Sequence, residues 1–96
     1  MPDYRLTSKA QLDLRKIADW GIDTFGIIKA RTYRDSLNEA FARLALHRTL
    51  GESFGHLRPQ LRRLVHGSHI IYYKLADEKI VIERILHQSQ DPLRHL

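Results

Sequence analysis

The chain has no cysteine, one methionine, one tryptophan and three prolines in 96 residues. The missing cysteines exclude a disulfide framework, a cysteine-ligated zinc site and a thiol nucleophile, so packing alone must hold the fold. No apolar run approaches the roughly 20 residues that a membrane span needs. Ile70-Ile71-Tyr72-Tyr73 is stopped by Lys74. Met1-Pro2-Asp3 has no basic start and no apolar stretch follows it, so no leader peptide and no membrane association are expected, and the expected location is cytoplasmic. Disorder would need fewer apolar residues than the 43% present beside 28% charged. The length suits one domain spanning 1–96.

Acidic residues are also in short supply. Sixteen Lys and Arg against eleven Asp and Glu leave +5. That balance favours an acidic partner, whether nucleic acid, an acidic protein or a nucleic-acid-bound machine. The excess is concentrated over 48–74, where Arg48, Arg58, Arg62, Arg63 and Lys74 face only Glu52. The segment lacks a helix-turn-helix pattern, and its aromatics make no RNA-reading motif. An ordinary solvated basic face reads equally well from charge alone.

What is present is a clear order of periods. Residues 3–7 alternate as a short strand with Tyr4 and Leu6 on one side. Ser8 and Gln11 have the spacing of a capping box, and Leu6 with Leu12 that of a hydrophobic staple. The first helix then places Ala10, Leu14, Ile17, Ala18 and either Trp20 or Gly21 on one face, and Gly26 closes it. Ala30, Tyr33, Leu37, Ala40, Phe41, Leu44 and Ala45 mark one face of a second helix, from about Ile27 to His47. The short link makes the two helices an antiparallel hairpin. Residues 49–60 read as a loop tethered by Leu50, Phe54 and Leu57. Leu61 to His66 and His69 to Leu75 read as a β-hairpin around a type II′ turn at Gly67-Ser68. A turn at 76–78 leads to a last strand, Lys79 to His87, with Ile80, Ile82 and Leu86 sharing a face with Arg84. The tail 88–96 reads as loosely ordered, with a turn at Asp91-Pro92. The expected fold is α+β: a helical hairpin on one face of a small antiparallel sheet, in the order β-α-α-β-β-β. The other sheet face is expected to be only partly covered.

No catalytic motif is complete: the sequence has no glycine-rich phosphate loop, no HExxH and no GxSxG. The hairpin register opposes Arg63 to Tyr72 and Arg62 to Tyr73, one pair on each face. Such pairs contribute roughly 0.2–1 kcal/mol. One arginine held over a ring could alternatively be presented to an anion. His66 faces His69 at the hairpin tip without a third ligand, so no metal site and no cofactor are expected. His87, three residues after Arg84, could act as a general acid in phosphodiester cleavage, or simply bond a loop at the strand end.

Three segments carry a resemblance: Tyr4-Arg-Leu-Thr-Ser-Lys-Ala-Gln-Leu-Asp-Leu, Leu61-Arg-Arg-Leu-Val-His-Gly-Ser-His-Ile-Ile-Tyr-Tyr, and Glu83-Arg-Ile-Leu-His-Gln-Ser-Gln-Asp-Pro-Leu-Arg-His-Leu. Together with the element order they resemble the ParE toxins of the RelE/ParE superfamily, over essentially the whole chain. The resemblance implies the toxin of a type II toxin–antitoxin system. It implies DNA gyrase as the target, neutralisation by a ParD-like antitoxin, and contact with operator DNA only through that antitoxin. The RelE branch is similar in fold but cleaves mRNA on the ribosome. Its catalytic arginine after the glycine turn is matched here by His69, and its strand-end histidine by His87. The tail offers Arg94 and His95 without a tyrosine. This incomplete set favours a toxin that binds rather than an enzyme; as a nuclease it would rely on His87 and Arg84. Where ParE-like tails often carry an arginine before the residue matching Asp91, Ser89-Gln90 stand here. The expected target surface is Arg62, Arg63, His69, Arg84, His87 and Arg94. The expected antitoxin groove is Leu14, Ile17, Tyr33, Leu37, Phe41 and Leu44.

Overall fold

A computed structural model describes residues 3–96. The elements are β1 (Tyr4–Leu6), α1 (Ser8–Phe25), α2 (Ile27–Leu46), β2 (Glu52–Ser53), β3 (Leu61–His66), β4 (His69–Ala76), β5 (Lys79–His87) and α3 (Pro92–His95). The described residues form a five-stranded sheet in the order β1-β5-β4-β3-β2. β1 lies parallel to β5 at its edge, and the other pairings are antiparallel. The sheet is therefore mostly antiparallel, because the first strand returns to pair with the last rather than with a chain neighbour. Helices α1 and α2 pack on one face.

The β3–β4 register is as the turn dictates: His66 opposes His69, Arg63 opposes Tyr72 and Arg62 opposes Tyr73. Gly67 has φ +56. That is the positive φ that a type II′ turn requires at its first central position. Gly26, at φ +88, links the two helices as expected and provides no side-chain cap for α2.

Several expectations need correction. The cap of α1 is Thr7, not Ser8: its hydroxyl accepts from the Ala10 N–H at 3.1 Å and donates to the Glu83 carbonyl at 2.8 Å. Gln11 instead donates to the Leu6 carbonyl. With the cap one residue earlier, Leu12 turns outward and is exposed, while Leu6 packs on the main core, so no staple joins them. Gly21 is buried and Trp20 is not. The loop at 49–60 contains β2, which pairs with Arg62 and Arg63.

The last strand carries a bulge. Tyr73 pairs with Ile82 but Tyr72 pairs with Arg84, leaving Glu83 as the extra residue. An extra residue inverts the alternation beyond it. Ile80, Ile82 and Ile85 consequently face the helices, whereas Leu86 joins Phe54, Leu61 and Tyr72 in a second cluster on the opposite face. Leu57, Ile70 and Leu96 pack against that cluster. The tail is ordered by α3: Asp91 accepts from the Leu93 N–H, and Pro92 occupies the first turn, where its missing N–H costs nothing.

A candidate interaction site at the tip of the helical hairpin

Around Gly26 the apolar residues stop following a single stripe. Trp20, Phe25 and Ile28 are 57%, 56% and 80% exposed, and Ile22 and Ile27 are exposed beside them. The Trp20 and Phe25 rings meet edge-on at 5.5 Å. Exposed large apolar side chains gathered at one end of a small domain are a feature of interaction surfaces. Behind it opens a cavity of about 280 Å³. Ile17, Trp20, Gly21 and Phe25 wall it from α1, Lys29, Ala30 and Tyr33 from α2, and Ser68, His69 and His87 close it from the sheet.

Two imidazoles, His69 and His87, line the sheet side of this cavity, and His66 continues their row on β3. His66, His69 and His87 oppose one another across β3, β4 and β5. The His69 and His87 rings are perpendicular at 5.5 Å. Their hydrogen-bond partners imply where the ring protons sit. Ser36 Oγ donates its one proton to the Tyr33 carbonyl at 2.7 Å, so the 2.9 Å contact with His66 has Nε2–H donating. The Tyr33 hydroxyl donates to the His66 carbonyl at 3.2 Å and accepts from His69 Nδ1 at 2.7 Å. His87 Nδ1 accepts from the Ser89 N–H at 3.1 Å, which leaves the proton of the neutral ring on Nε2.

Burial lowers the pKa of His69, with the neighbouring His87 and His66 adding to the effect. Burial also lowers that of His66, helped by Arg43. Desolvation raises Tyr33, opposed in part by the Ser68 backbone N–H. All three shifts favour the neutral form. Among the described residues no three His, Cys, Asp or Glu side chains are placed so that they could hold a metal ion, the row of imidazoles included.

The expected target surface does not assemble as one patch. Arg62 faces the helices and clamps the loop, donating to the Gly51 carbonyl at 2.6 and 2.9 Å and to Thr49 at 3.1 Å. Arg63, on the opposite face, bonds Glu52 at 2.6 Å and lies over the Phe54 ring at 4.3 Å, not over Tyr72. The Glu52 bond raises its pKa. Arg84 makes a forked pair with Asp13 at 2.7 and 2.9 Å and also donates to the His95 carbonyl. Asp13 raises the Arg84 pKa and accepts the Ile85 N–H as well. Arg94 is exposed on α3. His69 is only 7% exposed.

The expected antitoxin groove is corrected more sharply. Leu37, Phe41 and Leu44 are fully buried between α2 and the sheet and cannot touch a partner of the folded chain. Leu14 is half-buried against the same core. Ile17 and Tyr33 do line the tip cavity. Periodicity found the apolar face of α2 but could not say that the sheet already covers it. The exposed apolar residues Phe25, Ile27 and Ile28 were not among those expected. Their signal was there: apolar side chains on both sides of a helix-ending glycine cannot all share one stripe.

Fold and site together define a small α+β domain with an exposed apolar tip on its helical hairpin. The family model described as ParE toxin of type II toxin-antitoxin system, parDE, matches residues 4–92. The chain therefore belongs to the ParE toxin family of type II toxin–antitoxin systems. It is 32% identical over 96 residues to Toxin ParE1 of Caulobacter vibrioides, covering 100% of this chain and 99% of that one. It is 34% identical over 94 residues to Toxin ParE1 of Mycobacterium tuberculosis, covering 97% and 96%. Toxin ParE of Escherichia coli is 30% identical over 97 residues, covering 100% and 94%. A chain of the solved chromosomal ParDE TA system from P. aeruginosa superimposes with a TM-score of 0.76 at 24% identity, covering 91% of this chain and 96% of that one. That likeness establishes the shared fold.

Proposed function

We propose that this toxin acts by binding DNA gyrase without catalysing a reaction itself, and that a ParD-like antitoxin silences it by covering the hairpin tip. The observation that carries the antitoxin part is the exposed apolar surface of Trp20, Phe25, Ile27 and Ile28 beside an apolar cavity. An amphipathic segment can lay its apolar face there. The net charge of +5 speeds the approach of an acidic antitoxin.

The binding reading is supported by what the cationic residues already do. A nuclease would need a guanidinium free to stabilise phosphate charge. Arg84, the arginine nearest His87 on β5, is neutralised by Asp13 in a forked pair. The test is purified toxin added to gyrase. Supercoiling should be inhibited and a cleaved gyrase–DNA complex should accumulate. An inert toxin in that assay, with cuts inside translated codons that vanish in His87→Ala, would replace this reading with the ribosome-dependent nuclease.

A further inference from the structure

The imidazoles beneath the hairpin tip do more than fill space. We infer that antitoxin docking at the tip is proton-linked: the covered site requires His69 and His87 neutral, so acidification loosens the complex. This rests on the tip being the antitoxin site.

Three features point to it. First, His69 is 7% exposed and shares with His87 a cavity walled by Ile17, Trp20, Phe25 and Ala30. An apolar side chain seated there removes the water that would solvate an imidazolium. Second, the backbone holds His87 as an acceptor: its Nδ1 takes the Ser89 N–H at 3.1 Å, with the Ser89 hydroxyl beside it at 2.8 Å, so a proton placed there would displace the backbone contact. Third, the surrounding charge has the wrong sign. From α2 the groups are Lys29, on the cavity wall, Tyr33, and Arg43, which acts on His66; from β3 and β5 they are other imidazoles. The cavity residues of α1 carry no charge. A charged His69 or His87 would thus lie in an apolar site beside Lys29, with no carboxylate lining the cavity among the described residues.

Binding that excludes protons is weakened by protons, by the same coupling in both directions. Each unit by which docking lowers an imidazole pKa makes about a tenfold difference in affinity once pH is well below that pKa. The experiment uses the full chain with the antitoxin encoded beside it. Affinity is measured at pH 7.5 and 5.5 for wild type and for H69N/H87N. Asn in place of His69 retains a partner for Tyr33. The toxin is isotope-labelled alone, so that the indole signal of Trp20, its one tryptophan, reports whether the tip is covered.

The inference predicts a perturbed Trp20 signal on binding, several-fold weaker binding at pH 5.5 (at most about tenfold per imidazole, one pH unit below the ordinary histidine value), and loss of most of that difference in the double variant. If Trp20 is perturbed but affinity is equal at both pH values, the proton link is overturned and the docking site stands. A pH dependence that persists unchanged in H69N/H87N also overturns the link. If Trp20 is unperturbed in the complex, docking site and link both fall. Should the double variant lose its fold by circular dichroism, H87N alone carries the test, with a reduced but measurable loss of the pH difference.

Discussion

The first turn of α1 is where single atoms decide most. Thr7 caps the helix and at the same time ties it to β5 through the Glu83 carbonyl. Thr7→Ala should cost about 1–2 kcal/mol in urea unfolding. Ser8→Ala, outside the cap, should stay within about 0.5 kcal/mol. Equal losses would return the cap to Ser8. The sequence allowed either residue, because both hydroxyls precede the same apolar periodicity and only the docking of the turn on β5 selects between them. Tyr73 makes a second such point. Its buried hydroxyl accepts from the Gly51 N–H and donates to the Arg48 carbonyl, both at 2.9 Å. Tyr73→Phe leaves the buried Gly51 N–H and the part-buried Arg48 carbonyl without this partner, with an expected loss of about 1–3 kcal/mol. Gly51 could not carry a side chain at all: a Cβ there would sit 2.6 Å from the Arg63 carbonyl oxygen and 2.7 Å from the Tyr73 hydroxyl.

Among the elements, the β3–β4 hairpin was the most legible. A two-residue turn with glycine first fixes which residues face each other, and the pairing followed from it. β5 was less legible for a physical reason. Residues 80–82 and 85–86 are apolar and buried whichever face they meet, so alternation could not reveal the extra residue at Glu83. The parallel entry of β1 depended on pairing across most of the chain, which local pattern does not encode. The helical hairpin divides its apolar residues between two tasks, and a pair of substitutions separates them. Phe41→Ala should destabilise by about 3–5 kcal/mol, read as a lowered urea midpoint. Ile28→Ser should leave the midpoint within about 0.5 kcal/mol. A destabilising Ile28→Ser would mean that the tip belongs to the core rather than to a partner.

Over the whole molecule, pH is the cheapest probe. His66 and His69 have folded pKa values below the ordinary 6.5. Between the folded values and 6.5 the unfolded chain binds more protons, so stability rises with pH across that window. Their full contribution is present above the unfolded pKa and is lost as pH falls through 6.5 toward the folded values. Urea midpoints should therefore drop from pH 7.5 to pH 5, and less so in a His66→Asn, His69→Asn variant. A flat profile would mean that these imidazoles titrate normally. The same scale gives the +5 its meaning. Arg62, Arg63 and Arg84 are engaged within the fold, so the +5 does not by itself outline a contact surface.

The account rests on the hairpin tip as the surface an antitoxin covers, and affinity of the antitoxin for a Phe25→Ser, Ile28→Ser toxin tests it most directly. Val65→Ser, an exposed apolar residue on the other sheet face, is the control. Two apolar side chains at about 1.5–3 kcal/mol each predict a loss of at least a hundredfold for the tip variant and near wild-type affinity for the control. Wild-type affinity in a folded tip variant would contradict the account.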